Sequence, residues 1–402
     1  MNMFKNKLIL ATPFIVLTVL FIFSLTLIPT VNPTPQNIPI VFVNEDQGVA
    51  IPDQGTKYFG EVIASNVMSI EGISDEDPLI KWEMVESREV AEEKLDQKDY
   101  YAAFIIPEDF SKNQTTLQTE QPTPPKVELL VNSGMNPMAS TMITQAFDQI
   151  VDSINENIRT DILDNVQRQG ETLTPEQASA LVTPIIKQVT HVNAPGQNTM
   201  NGNAPVSLFQ PLWMSSMAGA AILFLVISKI PIVNRKENFL IKCGQIIIGL
   251  VIALVAGLGL SWFASSVVGI DVPSYVDTAV FLSITYFSFF LMISAVLSWI
   301  GIRGIVLFVL TLFFGAPLLA MAPEFMSPFY RDWIYSWLPM RFMIEGLKDL
   351  FFFGGGLSWS FPLQVLVGIA TVSGLIMIAS VFKPASTAVA EKKETPQTLG
   401  KS

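Results

Sequence analysis

Few residues in this chain are equipped for chemistry. His191 and Cys243 are the sole histidine and the sole cysteine among 402 residues, so no metal-spaced Cys/His cluster exists and no intrachain disulfide can close. No Ser/His/Asp set and no glycine-rich phosphate loop occurs. The stretch Leu399-Gly400-Lys401-Ser402 ends like a phosphate loop, but Thr395 stands where the upstream glycine is required. Acidic groups are plentiful, in the run Asp75-Glu76-Asp77 and in a cluster from Glu83 to Asp99. They could serve a cation or a receptor. A solvated face is the plainer reading, since a cation needs carboxylates converging on one centre. No catalytic, cofactor-binding or metal-ligating residue is assigned, and an enzyme is not expected.

The elements behind these residues are mostly apolar. Half of the chain is hydrophobic and only 15% is charged, a membrane composition rather than that of two or three soluble domains. Crossing about 30 Å of hydrocarbon takes roughly 20 apolar residues. Charge-free runs of that order cover Leu8 to Ile28, Leu208 to Ser228, Cys243 to Ile270, Thr278 to Ile302, Gly304 to Pro323 and Phe361 to Val381. The first exceeds a signal-peptide core and lacks a small-residue cleavage site, so a retained anchor is expected. The predicted fold is a polytopic α-helical membrane protein with six transmembrane helices and an α+β extracytoplasmic domain between the first and second, because each span must satisfy its own backbone hydrogen bonds in lipid. The expected boundaries are a cytoplasmic N-terminus (1–7), a span (8–28), the outer domain (29–207), a five-helix membrane domain (208–382) and a cytoplasmic disordered tail (383–402).

Charge sets the expected orientation. Residues 31–208 hold 26 Asp/Glu against 10 Lys/Arg, whereas the rest of the chain holds 9 against 14. The net charge of −11 therefore belongs to the outer domain. With both termini inside, 11 Lys/Arg fall in cytoplasmic segments and 3 in short outer loops, as the positive-inside rule requires. The absence of a basic patch argues against a nucleic-acid partner. A disulfide-free outer domain fits a bacterial plasma membrane, on which the sequon at Asn113 is read as chance.

Within the outer domain, strands are expected at Ile38–Val43, Ile80–Val85, Tyr101–Ile106 and Lys126–Val131. Ser87 should cap a short helix reaching Leu95. Met138, Met142, Ile143, Phe147, Ile150, Ile154, Ile158 and Ile162 recur at threes and fours, predicting a long amphipathic helix from Asn136 to Leu163. Thr174 and Gln177 are spaced as a capping box, His191 falls in a predicted loop, and another loop is expected from Asn193 to Pro205. No span carries Asp, Glu or His in its interior, which speaks against proton-driven transport but not against sodium coupling through backbone carbonyls, which needs no charge. The segment 323–356, which includes Pro339, reads as an interfacial or re-entrant pair of helices: Trp333 and Trp337 suit the headgroup layer, and Arg341, Glu345 and Lys348 share one face.

Three stretches together resemble the ABC type-2 export permeases: Ile40-Val41-Phe42-Val43-Asn44-Glu45-Asp46-Gln47-Gly48, the run from Glu92 to Ser111, and Trp337-Leu338-Pro339-Met340-Arg341 through Gly354-Gly355. The second is most similar to the phage infection protein (Pip) group. The resemblance implies a permease that pairs as a homodimer or heterodimer within membrane lipid and couples to a separate cytoplasmic ABC ATPase. In such permeases the ATPase touches the loop between the second and third spans. Here that loop, Ser228 to Lys242, holds Arg235, Lys236, Glu237, Phe239 and Lys242, with Phe239 as a knob on a short helix from Asn234; positive-inside charge explains the same cations equally well. The alternatives are a surface receptor or scaffold for a phage, peptide or cell-wall component, and an accessory part of a secretion machine.

Overall fold

The computed structural model describes residues 35–52, 55–69, 78–170 and 172–383, with Leu17, Thr18, Phe21, Ser24, Leu25, Ile28 and Pro33. The first predicted span and the tail lie largely, and Asp75-Glu76-Asp77 wholly, outside the described residues. The chain divides into two compact units. One contains residues up to 207 with 268–273 and 313–356, and the other contains 208–267, 274–312 and 357 onward.

The first unit holds strands β1 (Ile38–Asn44), β2 (Val49–Ile51), β3 (Gly55–Lys57), β4 (Ile80–Val85), β5 (Ala102–Ile106), β6 (Lys126–Asn132) and β7 (Ile186–Val192). Its helices are α1 (Phe59–Ser69), α2 (Arg88–Asp96), α3 (Phe110–Thr116), α4 (Pro137–Gln169) and α5 (Pro175–Ala180). Five strands form a mixed sheet in the order β4-β1-β5-β6-β7, and β2 and β3 form a separate hairpin. β1 lies parallel to both neighbours, β6 runs antiparallel to β5, and β7 runs parallel to β6.

β1 and β5 are buried on both faces, which is why they read as unbroken apolar runs. The two-residue period of a strand sorts their side chains. Phe42 stacks on Phe104 at 5.3 Å, Phe104 on Phe147 of α4 at 5.5 Å, and Trp82 meets Phe42 and Phe147 edge-on at 6.0 Å. On the opposite face Val41, Val43, Ala103 and Ile105 pack on Ala91 and Leu95 of α2. Truncating one such ring to alanine costs about 3–5 kcal/mol.

The caps behave as their chemistry demands. Asn136 accepts from the N–H groups of Met138 and Ala139 at 3.0 and 3.1 Å, with Pro137 at the first position of α4. The helix continues past the predicted Leu163 and stops at Gly170, whose φ of +67° suits glycine. The Thr174/Gln177 capping box forms. Four features went unforeseen: the β2–β3 hairpin, α1, α3, and β7, which puts His191 in a strand rather than a loop. Its Nδ1 lies 2.8 Å from Ser133 Oγ.

Beyond the sheet come α6 (Ala204–Ile227), α7 (Arg235–Trp262), α8 (Tyr275–Ile300), α9 (Ile305–Leu319), α10 (Pro328–Trp333), α11 (Pro339–Phe352) and α12 (Phe361–Ala379). Among the described residues, five stretches are long and apolar enough to cross a bilayer: Ala204–Ile227, Arg235–Val268, Tyr275–Ile300, Ile302–Leu319 and Phe361–Phe382. The protein is membrane-embedded. In the second unit α8 is the central helix, packed against α7 and α12. Gly249, Ala253 and Gly257 recur every four residues along the buried face of α7, so small side chains bring the backbones together. A Cβ on Gly249 would lie 2.2 Å from the Phe290 ring, and one on Gly257 2.1 Å from Ser283 Oγ. Trp213, fully buried, sits edge-on to Phe289 at 4.8 Å and donates its indole N–H to the Phe308 carbonyl at 3.3 Å. Ser288 donates to the Leu366 carbonyl at 2.6 Å. In lipid such bonds between helices have no competing water.

Candidate functional site

The segment 323–356 is a series of short turns leading into α11. Pro323, Pro328 and Pro339 each open a helical turn, where a fixed φ and a missing N–H carry no penalty. Trp333 and Trp337 are 75% and 60% exposed, and Trp337 donates to the Trp333 carbonyl at 2.7 Å. Both rings are thus free to meet a headgroup layer. α11 buries Met340, Met343, Ile344, Leu347 and Leu350. Its other side carries Arg341, Glu345, Lys348 and Asp349.

Within the first unit, this charged side is joined to the sheet. Tyr101, at the start of β5, donates to Glu324 Oε2 at 2.6 Å. Lys348 donates to the Met135 carbonyl at 2.5 Å. Lys98, just after α2, pairs with Asp349 and lies 5.5 Å from the centre of the Phe353 ring. Asn136, the cap of α4, also donates to the Ala320 carbonyl at 3.1 Å. Gly134 allows the close approach: a Cβ there would fall 2.7 Å from Phe352 Cβ. Arg341 Nε is 3.4 Å from Glu345 Oε1 without the alignment of a hydrogen bond, and its guanidinium lies over the rings of Tyr335 and Phe342 at 5.2 and 4.7 Å.

Three carboxylates (Glu324, Glu345, Asp349) therefore meet three cations (Lys98, Arg341, Lys348). Burial is the leading influence on two of them, Lys348 and Glu345. Lys348 keeps partial solvent contact, but the protein packed around its ammonium lowers its pKa to about 8, against the opposing pull of Glu345, Glu324 and Asp349. Burial pushes Glu345 above the usual carboxyl range, opposed by Arg341 and Lys348. Burial and then the Glu324 charge push Tyr101 well up. The arrangement is a seam of three carboxyl and three basic groups in which burial favours the neutral forms of Glu345 and Lys348. Among the described residues no group of three His, Cys, Asp or Glu could hold a metal ion.

Sequence reasoning reached Arg341, Glu345 and Lys348 through their spacing on α11. It missed Tyr101, Glu324, Lys98 and Asp349, whose partners are remote in the chain. It also read the stretches around Asp46 and Ser111 as motifs without seeing that they join. Asp46 accepts from the N–H of Gly60 at 3.0 Å and of Ser111 at 2.8 Å, as well as from the Ser111 hydroxyl. Glu45 accepts from the N–H of Arg88 at 2.9 Å, at the start of α2. One turn after β1 thus holds the first turns of α1, α2 and α3.

In the second unit Arg235, Lys236, Glu237 and Phe239 form the first turns of α7 rather than a separate short helix. Asn234 caps that helix by accepting from the N–H of Glu237 at 2.8 Å, and Glu237 accepts from the N–H of Val233 at 3.0 Å. Arg235 lies 5.9 Å from the centre of the Phe382 ring, and Phe239 is 44% exposed. Lys242, expected in the loop, is buried two turns into α7 and donates to Ser298 at 2.8 Å. Lys383 donates to the Trp299 carbonyl at 2.5 Å. The start of α7 and the ends of α8 and α12 thus share one cationic end of this unit.

Comparison with known proteins gives a family and little more. Over 125 residues, 31% of this chain, the sequence is 26% identical to the uncharacterized protein YhgE of Bacillus subtilis (strain 168), and the match spans 15% of that relative's length. A crystallised domain of a candidate ABC type-2 transporter from Thermotoga maritima MSB8 matches 38% of this chain and 86% of its own at 15% identity, with a TM-score of 0.26, too slight a likeness to carry fold or function. The family model described as "Protein of unknown function (DUF3533)" matches residues 6–369. With nearly the whole sequence inside that match, the chain belongs to this family.

Proposed function

We propose that the chain is the membrane permease subunit of an ABC-type exporter, moving a substrate out of a bacterial cell with energy from a separate cytoplasmic ATPase and working as a pair of permeases. One observation carries the reading: the five apolar helices hold no carboxylate or imidazole in their interior. A transporter without an intramembrane proton relay draws its energy from elsewhere. The resemblance of the three stretches to ABC type-2 permeases supports the same conclusion. So does the exposed Phe239 on the cationic end of the second unit, an apolar knob suited to a partner groove. Motion of α9, which leads directly into the 323–356 segment, would pass to the outer sheet through Tyr101–Glu324 and Lys98–Asp349.

Affinity purification of the chain from its native cells tests the docking role. A Walker-motif ATPase should co-purify, and the double variant Arg235→Glu/Phe239→Glu should lose it while keeping its own yield. Undiminished recovery of the ATPase by the variant removes these residues from the interface. Absence of any ATPase with the wild-type chain removes the exporter assignment.

A further inference from the structure

The first unit contains a cleft that neither the seam nor the export reading uses. It lies among α1, α3, the second half of α4 and the β2–β3 hairpin, with a volume of about 680 Å³, within the roughly 300–1,000 Å³ of small-ligand sites. The Asp46 turn fixes two of its walls, because it anchors the first turns of both α1 and α3. Its walls differ in character. Phe59, Ile63 and Ile158 make an apolar side, and the carboxamides of Gln114, Asn157 and Asn165 make a polar one. Lys57 and Asp161 add one cation and one anion.

Gln114 supplies the second, independent sign of a ligand. Its Oε1 is buried and has no hydrogen-bond partner among the described residues. A buried acceptor left without a donor lowers stability, and such groups call for an explanation. Rotation of the Gln114 carboxamide toward the cleft would offer this acceptor to an incoming N–H.

We propose that the cleft binds a short aliphatic peptide. Carboxamides both donate and accept, which matches the alternating N–H and C=O groups of a peptide backbone. The apolar wall suits aliphatic side chains. Lys57 and Asp161 suit the carboxylate and ammonium of a zwitterion. A sugar would call for an exposed Trp or Tyr face to stack on, and neither residue lines the cleft.

Calorimetric titration of the full chain in detergent, first with an equimolar mixture of aliphatic tripeptides and then with tri-N-acetylchitotriose, tests this. The tripeptides should bind saturably. Gln114→Leu removes the buried acceptor and should weaken binding about tenfold without lowering the unfolding midpoint. Asn157→Ala, at an exposed position, should weaken binding with the fold intact. No saturable tripeptide binding at millimolar concentration, equal binding by both variants, or binding of the sugar instead would overturn the proposal. The assay involves neither ATPase nor transport, so its failure leaves the export reading standing, and loss of the export reading leaves the cleft.

Discussion

A lysine whose pKa is lowered to about 8 makes the seam's stability depend on pH with a definite sign. Between pH 8 and the ordinary lysine value of about 10.4, the unfolded chain still holds a proton that folded Lys348 has released. Stability therefore rises with pH across that window. Glu345 acts in the opposite sense and elsewhere. Its raised pKa means the folded chain keeps a proton that the unfolded one loses, so its contribution falls as pH climbs above the ordinary carboxyl range. Above about pH 10 the raised pKa of Tyr101 also favours the unfolded, ionised form. The window is pH 8 to 10; Lys187, also lowered by burial, acts there in the same sense, and comparison with Lys348→Met cancels it. Over it, the wild-type unfolding midpoint measured by scanning fluorimetry should rise relative to that of Lys348→Met, by the equivalent of about 1–3 kcal/mol. Parallel profiles would mean that Lys348 is solvated and that the seam holds no displaced proton.

At the level of elements, the close approach of α7 to α8 depends on two hydrogens where side chains would otherwise stand. Gly249 and Gly257 face Phe290 and Ser283, whereas Gly244 and Gly259 on the same helix have nothing within 4 Å of an added Cβ. Gly249→Ala should therefore lower the thermal midpoint in detergent, at a cost of about 1–3 kcal/mol from overpacking. Gly244→Ala should be neutral or slightly stabilising, because alanine favours the helix by up to about 1 kcal/mol. Equal effects at the two positions would show that helix propensity, and not packing, sets the response. The same contrast explains what could be read in advance. β1 and β5 announced themselves because both faces are buried and the residues are apolar throughout. β7 did not: Ile186-Lys187-Gln188-Val189-Thr190-His191-Val192 lies at the sheet's edge with no fully buried residue, so its sequence is as polar as a loop. α7 was read as starting at Cys243 because hydropathy finds the apolar core of a helix, while Asn234 and Glu237 set its first turn by capping. The seam was half legible for a related reason. Arg341, Glu345 and Lys348 share a helix face by local spacing, but Tyr101–Glu324 joins residues 223 apart in sequence, and no periodicity reports such a pair.

For the whole molecule, the strongest constraint is where charge is allowed to be. The stretch 31–208 carries most of the chain's acids, 26 of 35, while Arg235, Lys242 and Lys383 gather at one end of the helical unit through contacts to Phe382, Ser298 and Trp299. Cationic segments resist translocation and acidic ones contribute little to orientation. The sheet should therefore lie outside the cell and the start of α7 inside. This orientation also governs the two functional readings, because an ATPase can reach Phe239 only from the cytoplasm and an extracellular peptide can reach the cleft only from outside. Single-cysteine variants in a Cys243→Ser background report it directly. Glu83→Cys on β4 should react with a membrane-impermeant maleimide in intact cells, and Lys236→Cys should react only after the membrane is opened. If Lys236→Cys labelled in intact cells while Glu83→Cys stayed protected, the ATPase could not dock on α7, and the cleft would face the cytoplasm.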